Sequence, residues 1–303
     1  MDALKAALLR GAFRLASLLP VRLLGGLGAG LGRLAFYLDA RHRRISIRNL
    51  TRVYPDRSRA WRTRTARESF AELGRTMLEL PHVFMKSREY LLAHVSVEGE
   101  DHMRAALAEN KGVFLAACHH GNWELGALMF SLLGFDIEFF YRPLRQPVAE
   151  AFVRERRERF GATLHARQDP LRWLVRALKG RTLIGLMIDQ HIGDGMPVPF
   201  LGHMANTLTL PAAMVRKYDA PLVGVALHRI GRGFKFRLDI WTIERPDMAL
   251  SEQAFVYKLT RDIGKSFEPA INLRPEMWLW SHQRWKLLEE HNKDITGVVY
   301  GTP

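Results

Sequence analysis

The sequence predicts an α/β fold: a mixed sheet flanked by helices, with an N-terminal helical region suited to attachment at a membrane. Three observations carry this. From about residue 95 to 290, short apolar runs alternate with stretches of helical period, the pattern of a layered sheet-and-helix domain. One of those runs, residues 113–118, stops at the polar cluster His119-His120-Gly121-Asn122. Residues 3–38 are rich in leucine, dotted with arginine, and broken by Pro20 and a glycine-rich run.

At the N-terminus, Leu4, Leu8, Leu15 and Leu19 fall on one helical face, with Arg10 and Arg14 nearly opposite. Residues 23–32 are uncharged and closed by Arg33. A spanning helix needs about 20 apolar residues, so this interrupted stretch reads as a helix pair lying in the interface. The competing reading is a buried amphipathic hairpin. No small-residue cleavage site follows a clean apolar run, so a cleavable signal is not expected. Arginines follow at 41, 43, 44, 48 and 52, then at 57, 59, 62, 64 and 67. A polybasic segment beside an amphipathic anchor suits an anionic membrane surface on the cytoplasmic side. Residues 1–94 are therefore set apart as the attachment region and 95–303 as the α/β domain.

Within that plan, residues 57–80 and 86–94 read as helices, and 104–110 closes another. Strands are expected at 113–118, 135–142, 182–189 and 221–229. An edge strand over 234–243 pairs back through Gly231-Arg232-Gly233. Helices are expected at 125–133, 147–159, 169–179, 210–218 and 252–268. The 169–179 helix has Asp169 as cap, Pro170 at its first position and Gly180 at its end. Residues 196–202 read as an extended loop, and 275–285 close the fold.

Composition narrows the function. Hydrophobic content of 48% over 303 residues supports a sizeable core, and the formal charge of +14 predicts a polyanionic partner: nucleic acid, an anionic membrane face or an acidic protein. The one cysteine, Cys118, rules out an internal disulfide and fits a reducing compartment. It alternates into a buried strand, where cysteine behaves as a small hydrophobe rather than a nucleophile. No paired-cysteine, zinc-helix, phosphate-loop or dinucleotide motif occurs, so no metal or cofactor is expected.

The chemistry is expected at the end of the 113–118 strand, because open α/β sheets place ligands beyond the carboxyl ends of their strands. In one continuous helix His119 and Glu124 would lie about 140° apart, at about 100° per residue. With His119 still outside the helix and Glu124 in its first turn, the carboxylate can reach one imidazole nitrogen. The other is then free to take a proton, which makes an orienter-and-base pair without its own nucleophile. Asn122 would cap the helix, and the backbone at Gly121 and Asn122 would offer oxyanion donors. His120 is the rival base but lacks a partner at matching spacing. His120 and Trp123 are therefore expected to support the pair from behind.

Four stretches stand together: His119-x4-Glu124; Tyr141-Arg142-Pro143 with the arginine helix that follows; Asp189-Gln190 at a strand end; and Trp278-x-Trp280-x-His282-x-x-Trp285. Arg48-Asn49-Leu50 and Tyr54-Pro55 lie upstream. This order and spacing resembles the bacterial lipid A biosynthesis acyltransferases, the late lauroyl and myristoyl transferases, over essentially the whole chain. The resemblance implies a glycerol-phosphate acyltransferase-like fold at the cytoplasmic face of the bacterial inner membrane. It implies transfer of a fatty acyl chain from acyl carrier protein to a hydroxyl of a lipid acceptor, with coenzyme A as the other donor. It makes His119 the general base and Glu124 its orienter. It puts Arg157 and Asp189 at the family's other polar positions. Beside them, Arg142, Arg159 and Gln190 are expected as further substrate contacts. The His-Gly-Asn-Trp that follows His119 is similar to a broader branch, some of whose members acylate phosphatidylinositol mannosides or lysophospholipids. Candidate residues for an acyl channel are Met129, Phe130, Met187, Phe200 and Met214. Two other classes remain in play. A basic nucleic-acid-binding protein would use the charge but not the N-terminal leucines, and a hydrolase of the same fold would lack its nucleophile elbow.

Overall fold

In a computed structural model, residues 2–286 are described, and the expected extent of the α/β domain over 287–303 lies outside them. The chain opens with helices α1 (Asp2–Ala16), α2 (Val21–Leu38), α3 (Ala40–Val53), α4 (Arg59–Met85) and α5 (Arg88–Leu92). Then come β1 (Val95–Glu98), α6 (Glu100–Ala108), β2 (Val113–Ala117), α7 (Trp123–Leu132), β3 (Ile137–Tyr141), α8 (Pro147–Glu158), β4 (Thr163–Ala166), α9 (Arg172–Lys179) and β5 (Leu183–Met187). The remainder is β6 (Met196–Phe200), β7 (His203–Thr207), α10 (Leu210–Tyr218), β8 (Leu222–Arg229), β9 (Phe236–Thr242), α11 (Glu252–Ser266) and α12 (Glu268–Leu273).

Seven strands form one sheet in the order β1-β9-β8-β2-β5-β3-β4. The block β8-β2-β5-β3-β4 is parallel; β9 turns back antiparallel on β8, and β1 runs parallel to β9. The sheet is thus mixed but predominantly parallel, and helices cover it. β2 lies centrally between β8 and β5, so both its faces are buried, as its unbroken apolar run requires. Phe114, Ala116 and Cys118 face one core with Ile184 and Leu186, while Val113 and Leu115 face the other with Leu128 and Phe130.

Four strands were not expected, and β9, expected at an edge, lies between β8 and β1. β1 and β4 have only four residues each and sit at the two sheet edges. Residues 196–202, read as a loop, contain β6, which pairs with β7 in a separate hairpin. Pro197 and Pro199 disguised it, and in this two-stranded ladder they occupy edge positions, where the missing donors are tolerated.

The N-terminal helices pack directly on this domain. α2 meets α4 with almost no side chain between them: a Cβ on Gly28 would sit 2.3 Å from the Gly74 carbonyl oxygen, and one on Gly32 2.0 Å from that of Phe70. The glycines that interrupt the apolar run of α2 are therefore its packing face. The leucines point away. Leu4, Leu8, Leu15 and Leu19 of the first segment, and Leu23, Leu27, Leu31 and Leu34 of α2, are 45–69% exposed. Among the described residues no single helix is long and apolar enough to cross a membrane; α1 and α2 together reach the length and composition but are bent by 110°.

α4 is tied to the sheet by charge. Arg229, at the end of β8, is fully buried and donates to both oxygens of Glu79 (2.7 and 2.9 Å) and to Glu72 (2.8 Å). Burial alone would lower the Arg229 pKa, but the two carboxylates outweigh it and raise it; burial raises that of Glu79. Removing one side of such a pair leaves an uncompensated buried charge. Arg229→Met should therefore lower the unfolding free energy by about 3–5 kcal/mol in a denaturant titration, and an unchanged midpoint would refute this role for the pair.

Candidate active site

The polar cluster after β2 is shaped by its neighbours before any side chain is considered. Gly121 adopts φ +60°, and a Cβ there would lie 2.1 Å from the Leu227 carbonyl oxygen. Glycine is thus required by a close approach of the protein's own backbone. The Gly121 N–H donates to the Met277 carbonyl (3.0 Å), and the Leu279 N–H donates to the His119 carbonyl (3.1 Å). The segment around Trp278 thereby stitches the loop in place. Asn122 caps α7 by accepting from the Leu125 N–H (3.1 Å), while its amide donates to Glu79 (3.0 Å).

His119 projects from this loop at the carboxyl edge of the sheet. Its Nδ1 is 2.7 Å from Asp189 Oδ1, and its backbone N–H donates to Asp189 Oδ2 at 2.8 Å. The Trp278 indole N–H donates to the same Oδ2 at 2.8 Å. Burial would push the Asp189 carboxyl up. The His119 ring and the hydrogen bonds from His119 and Trp278 outweigh it and hold the group down at about 2. On the other side of the ring, His119 Nε2 lies 3.3 Å from the Gln190 side-chain nitrogen. The tautomer with its proton on Nδ1 satisfies both contacts, donating to Asp189 and accepting from Gln190.

The expectation that Glu124 steers His119 is therefore corrected: the carboxylate on Nδ1 belongs to Asp189. Glu124, in the first turn of α7, accepts a two-pronged bond from Arg157 of α8, Nε to Oε2 at 2.9 Å and Nη2 to Oε1 at 2.6 Å. Burial would lower the Arg157 pKa, but Glu124 more than offsets it. Asp189 neither orients Arg157 nor stands open to an acceptor, because its oxygens are taken by His119 and Trp278 and its side chain is 2% exposed.

Other expected residues fall in mixed places. Trp123 packs edge-on against the His119 ring, with centroids 5.4 Å apart. His120 is buried, near the Leu227 carbonyl (3.3 Å); burial, with His228 close by, pushes its imidazole down to about 3. Its lone pair is sealed from solvent and its basicity is low, which sets it behind His119 as a base. Arg142 is exposed just past the end of β3, on the same sheet edge as His119. Arg159 does not join the cluster: it donates to the Val83 and Lys86 carbonyls (3.0 and 2.7 Å) at the end of α4, and burial, with Arg156 beside it, pulls it to about 10. The Gly121 amide is taken by the Met277 carbonyl and is not free as the oxyanion donor expected there, while the first-turn amides of α7, at Trp123 and Glu124, have no intrahelical acceptor. Burial, with Asp189 nearby, pushes the Cys118 thiol well up, which keeps it inert. Of the channel candidates, Met129, Phe130 and Phe200 are core residues, while Met187 and Met214 are half-buried.

The Trp278 indole bond to Asp189 carries no sequence signal beyond the tryptophan repeat itself. His282, with a nitrogen accepting from the His191 N–H (2.9 Å), is pushed down to about 4, chiefly by burial.

Comparison with known proteins shows the family. The sequence profile of the family described as "Bacterial lipid A biosynthesis acyltransferase" matches residues 3–287. The lipid A biosynthesis lauroyltransferase of Escherichia coli (strain K12) is 27% identical over 276 residues, 90% of this chain and 88% of that protein. The lipid A biosynthesis palmitoleoyltransferase of the same organism is 28% identical over 273 residues, 88% and 86% of the two chains. A phosphatidylinositol mannoside acyltransferase of Mycobacterium tuberculosis is 25% identical over 224 residues, 72% and 68%. With the match running through the N-terminal helices, the sheet and the His119 loop alike, this chain belongs to the bacterial lipid A biosynthesis acyltransferase family.

Proposed function

We propose that the protein moves a fatty acyl chain from acyl carrier protein to a hydroxyl of a lipid A precursor, at the cytoplasmic face of the inner membrane. One observation carries the mechanism: an imidazole whose Nδ1 is held by a buried carboxylate at 2.7 Å and whose Nε2 faces only an exposed amide. Nε2 takes the proton from the acceptor hydroxyl as its oxygen bonds to the thioester carbonyl carbon. The tetrahedral oxyanion collapses, the carbon–sulfur bond breaks, and the departing thiolate takes the proton from the imidazolium. Asp189 fixes the tautomer and stabilises the imidazolium, the part first expected of Glu124. Glu124 instead holds Arg157, leaving Nη1 of that guanidinium available for the oxyanion or for a lipid phosphate, which arginine's planar fork suits. Arg142 is the exposed candidate for the acceptor's phosphates.

The exposed leucines of α1 and α2 support a place in the membrane interface, since a bent pair with an apolar outer face can lie along a bilayer without crossing it. The positive charge serves both anionic lipid and an acidic carrier protein. The named mannoside acyltransferase supports a second acceptor class. Its match covers 72% of the chain against 88–90% for the lipid A relatives, which favours the lipid A precursor. A panel of both acceptors, offered with acyl carrier protein and coenzyme A thioesters, separates these readings.

His119→Ala should lower kcat/KM for acyl transfer by about 10²–10⁴-fold, the usual reach of general-base help. Wild-type turnover in that variant would end the proposal. Asp189→Asn should lose a comparable factor in kcat with little change in acceptor KM. An amide cannot accept all three donors now converging on the carboxylate. The same variant tests stability. The Asp189 carboxyl lies below its ordinary range, so the stability from its ionised form is fully present above about pH 4 and fades as pH falls through about 2. The melting gap between wild type and variant should therefore be widest near neutrality and close toward pH 2. Arg157→Met should cost about 10²–10³-fold in kcat, as for loss of one oxyanion donor. Arg157→Lys should recover only part of it, and full recovery would reduce Arg157 to a point charge.

A further inference from the structure

Away from His119, a cleft of about 540 Å³ opens between the last turn of α2 and the first turns of α4, within the range of small-ligand sites. Phe36, Tyr37, Arg59, Thr63, Arg64 and Arg67 line it. The cations gather there for a local reason. Ser58 caps α4 by accepting from the Trp61 N–H (3.2 Å), and residues 60, 63, 64 and 67 then share one helix face. The start of α4 adds the positive end of its dipole. The acid at hand, Glu68, is already bridged by Arg33 (2.6 Å) and approached by Arg67 (3.5 Å). Arg59 and Arg64 are exposed, and neither has an ion-pair partner among the described residues. Two unneutralised guanidinium groups therefore stand over an aromatic wall. Immediately beside them, Leu31, Leu34 and Leu38 of α2 are 52–75% exposed and continue the apolar outer face.

We propose that this cleft is a headgroup site for an anionic bilayer lipid: its phosphate sits between Arg59 and Arg64, and its chains follow Leu31, Leu34 and Leu38. The charge selects a phosphate, and the adjoining leucines select one that carries hydrocarbon. The inference rests on the membrane attachment proposed above and adds a specific contact to it. The cleft is separate from the acceptor site at His119. Its expected effect is to set the orientation in which α1 and α2 lie on the bilayer.

The test is flotation of the full chain with vesicles of phosphatidylcholine alone or doped with phosphatidylglycerol, free of any acceptor. Arg59→Glu with Arg64→Glu is compared with Arg181→Glu with Arg232→Glu, an equal charge change at exposed arginines outside the cleft. The cleft pair should lose the phosphatidylglycerol-dependent part of binding by roughly 30-fold or more, from the usual strength of basic residues at anionic surfaces. The control pair should lose much less. Equal losses would leave only general surface charge and overturn the site, as would no loss in the cleft pair. Displacement of wild type by soluble glycerol phosphate, to the same extent, would overturn the lipid as occupant. A loss seen in binding of acyl carrier protein instead of vesicles would reassign the cleft to that partner. Transfer assayed in neutral detergent keeps the two proposals apart. The cleft pair should retain wild-type kcat there, whereas a wild type inactive under those conditions would count against acyl transfer and leave the flotation result standing.

Discussion

The structure turns on one buried ion pair. Arg229 sits with no exposed side-chain surface at the end of β8 and engages both oxygens of Glu79 from the middle of α4. One of those oxygens also accepts from Asn122, the cap of α7. A single carboxylate thereby joins three parts: the helix that carries the N-terminal hairpin, the sheet, and the loop from which His119 projects. Two charges in such a place are tolerated only because each is fully paired and hydrogen-bonded. The arrangement admits little slack, since moving α4 would strand a charge and uncap α7 together.

That rigidity matters because α2 is locked to α4 in turn. Gly28 and Gly32 bring the two backbones into contact with Gly74 and Phe70, at distances no larger residue could accept. The leucine face of α2 and the His119 loop are thus parts of one packed body. On the membrane placement proposed above, those leucines would carry the His119 ring to a defined height and angle. The same coupling gives the glycine-rich sequence of α2 two meanings, tight packing inward and an uninterrupted apolar surface outward.

The polar groups near the site form two units. Asp189, Trp278 and His119 make the first, in which three donors keep a buried carboxylate ionised and aimed at one nitrogen. Glu124 and Arg157 make the second, a planar fork across two helices. Each acid keeps its own cation. In the proposed reaction the imidazole carries the proton while the Arg157 guanidinium stays a fixed positive group.

Much of this was legible along the chain. The apolar run of β2, the polar stop at His119, the cap at Asn122 and the outward leucines follow from composition and period, which are local properties. The short edge strands β1 and β4 and the proline-bearing β6 were not legible, because four residues hold too little pattern to register against their flanks and the prolines break the strand signal of β6. The partner of His119 could not be read at all. In sequence Glu124 is five residues away and Asp189 seventy, so local reasoning favours the nearer acid. Pairing of β2 with β5 sets Ala117 beside Met187, and two residues further along both strands His119 stands beside Asp189. Sequence determined that an imidazole would end this strand with carboxylates available to it. Strand register, a property of the assembled sheet, decided which carboxylate it would meet.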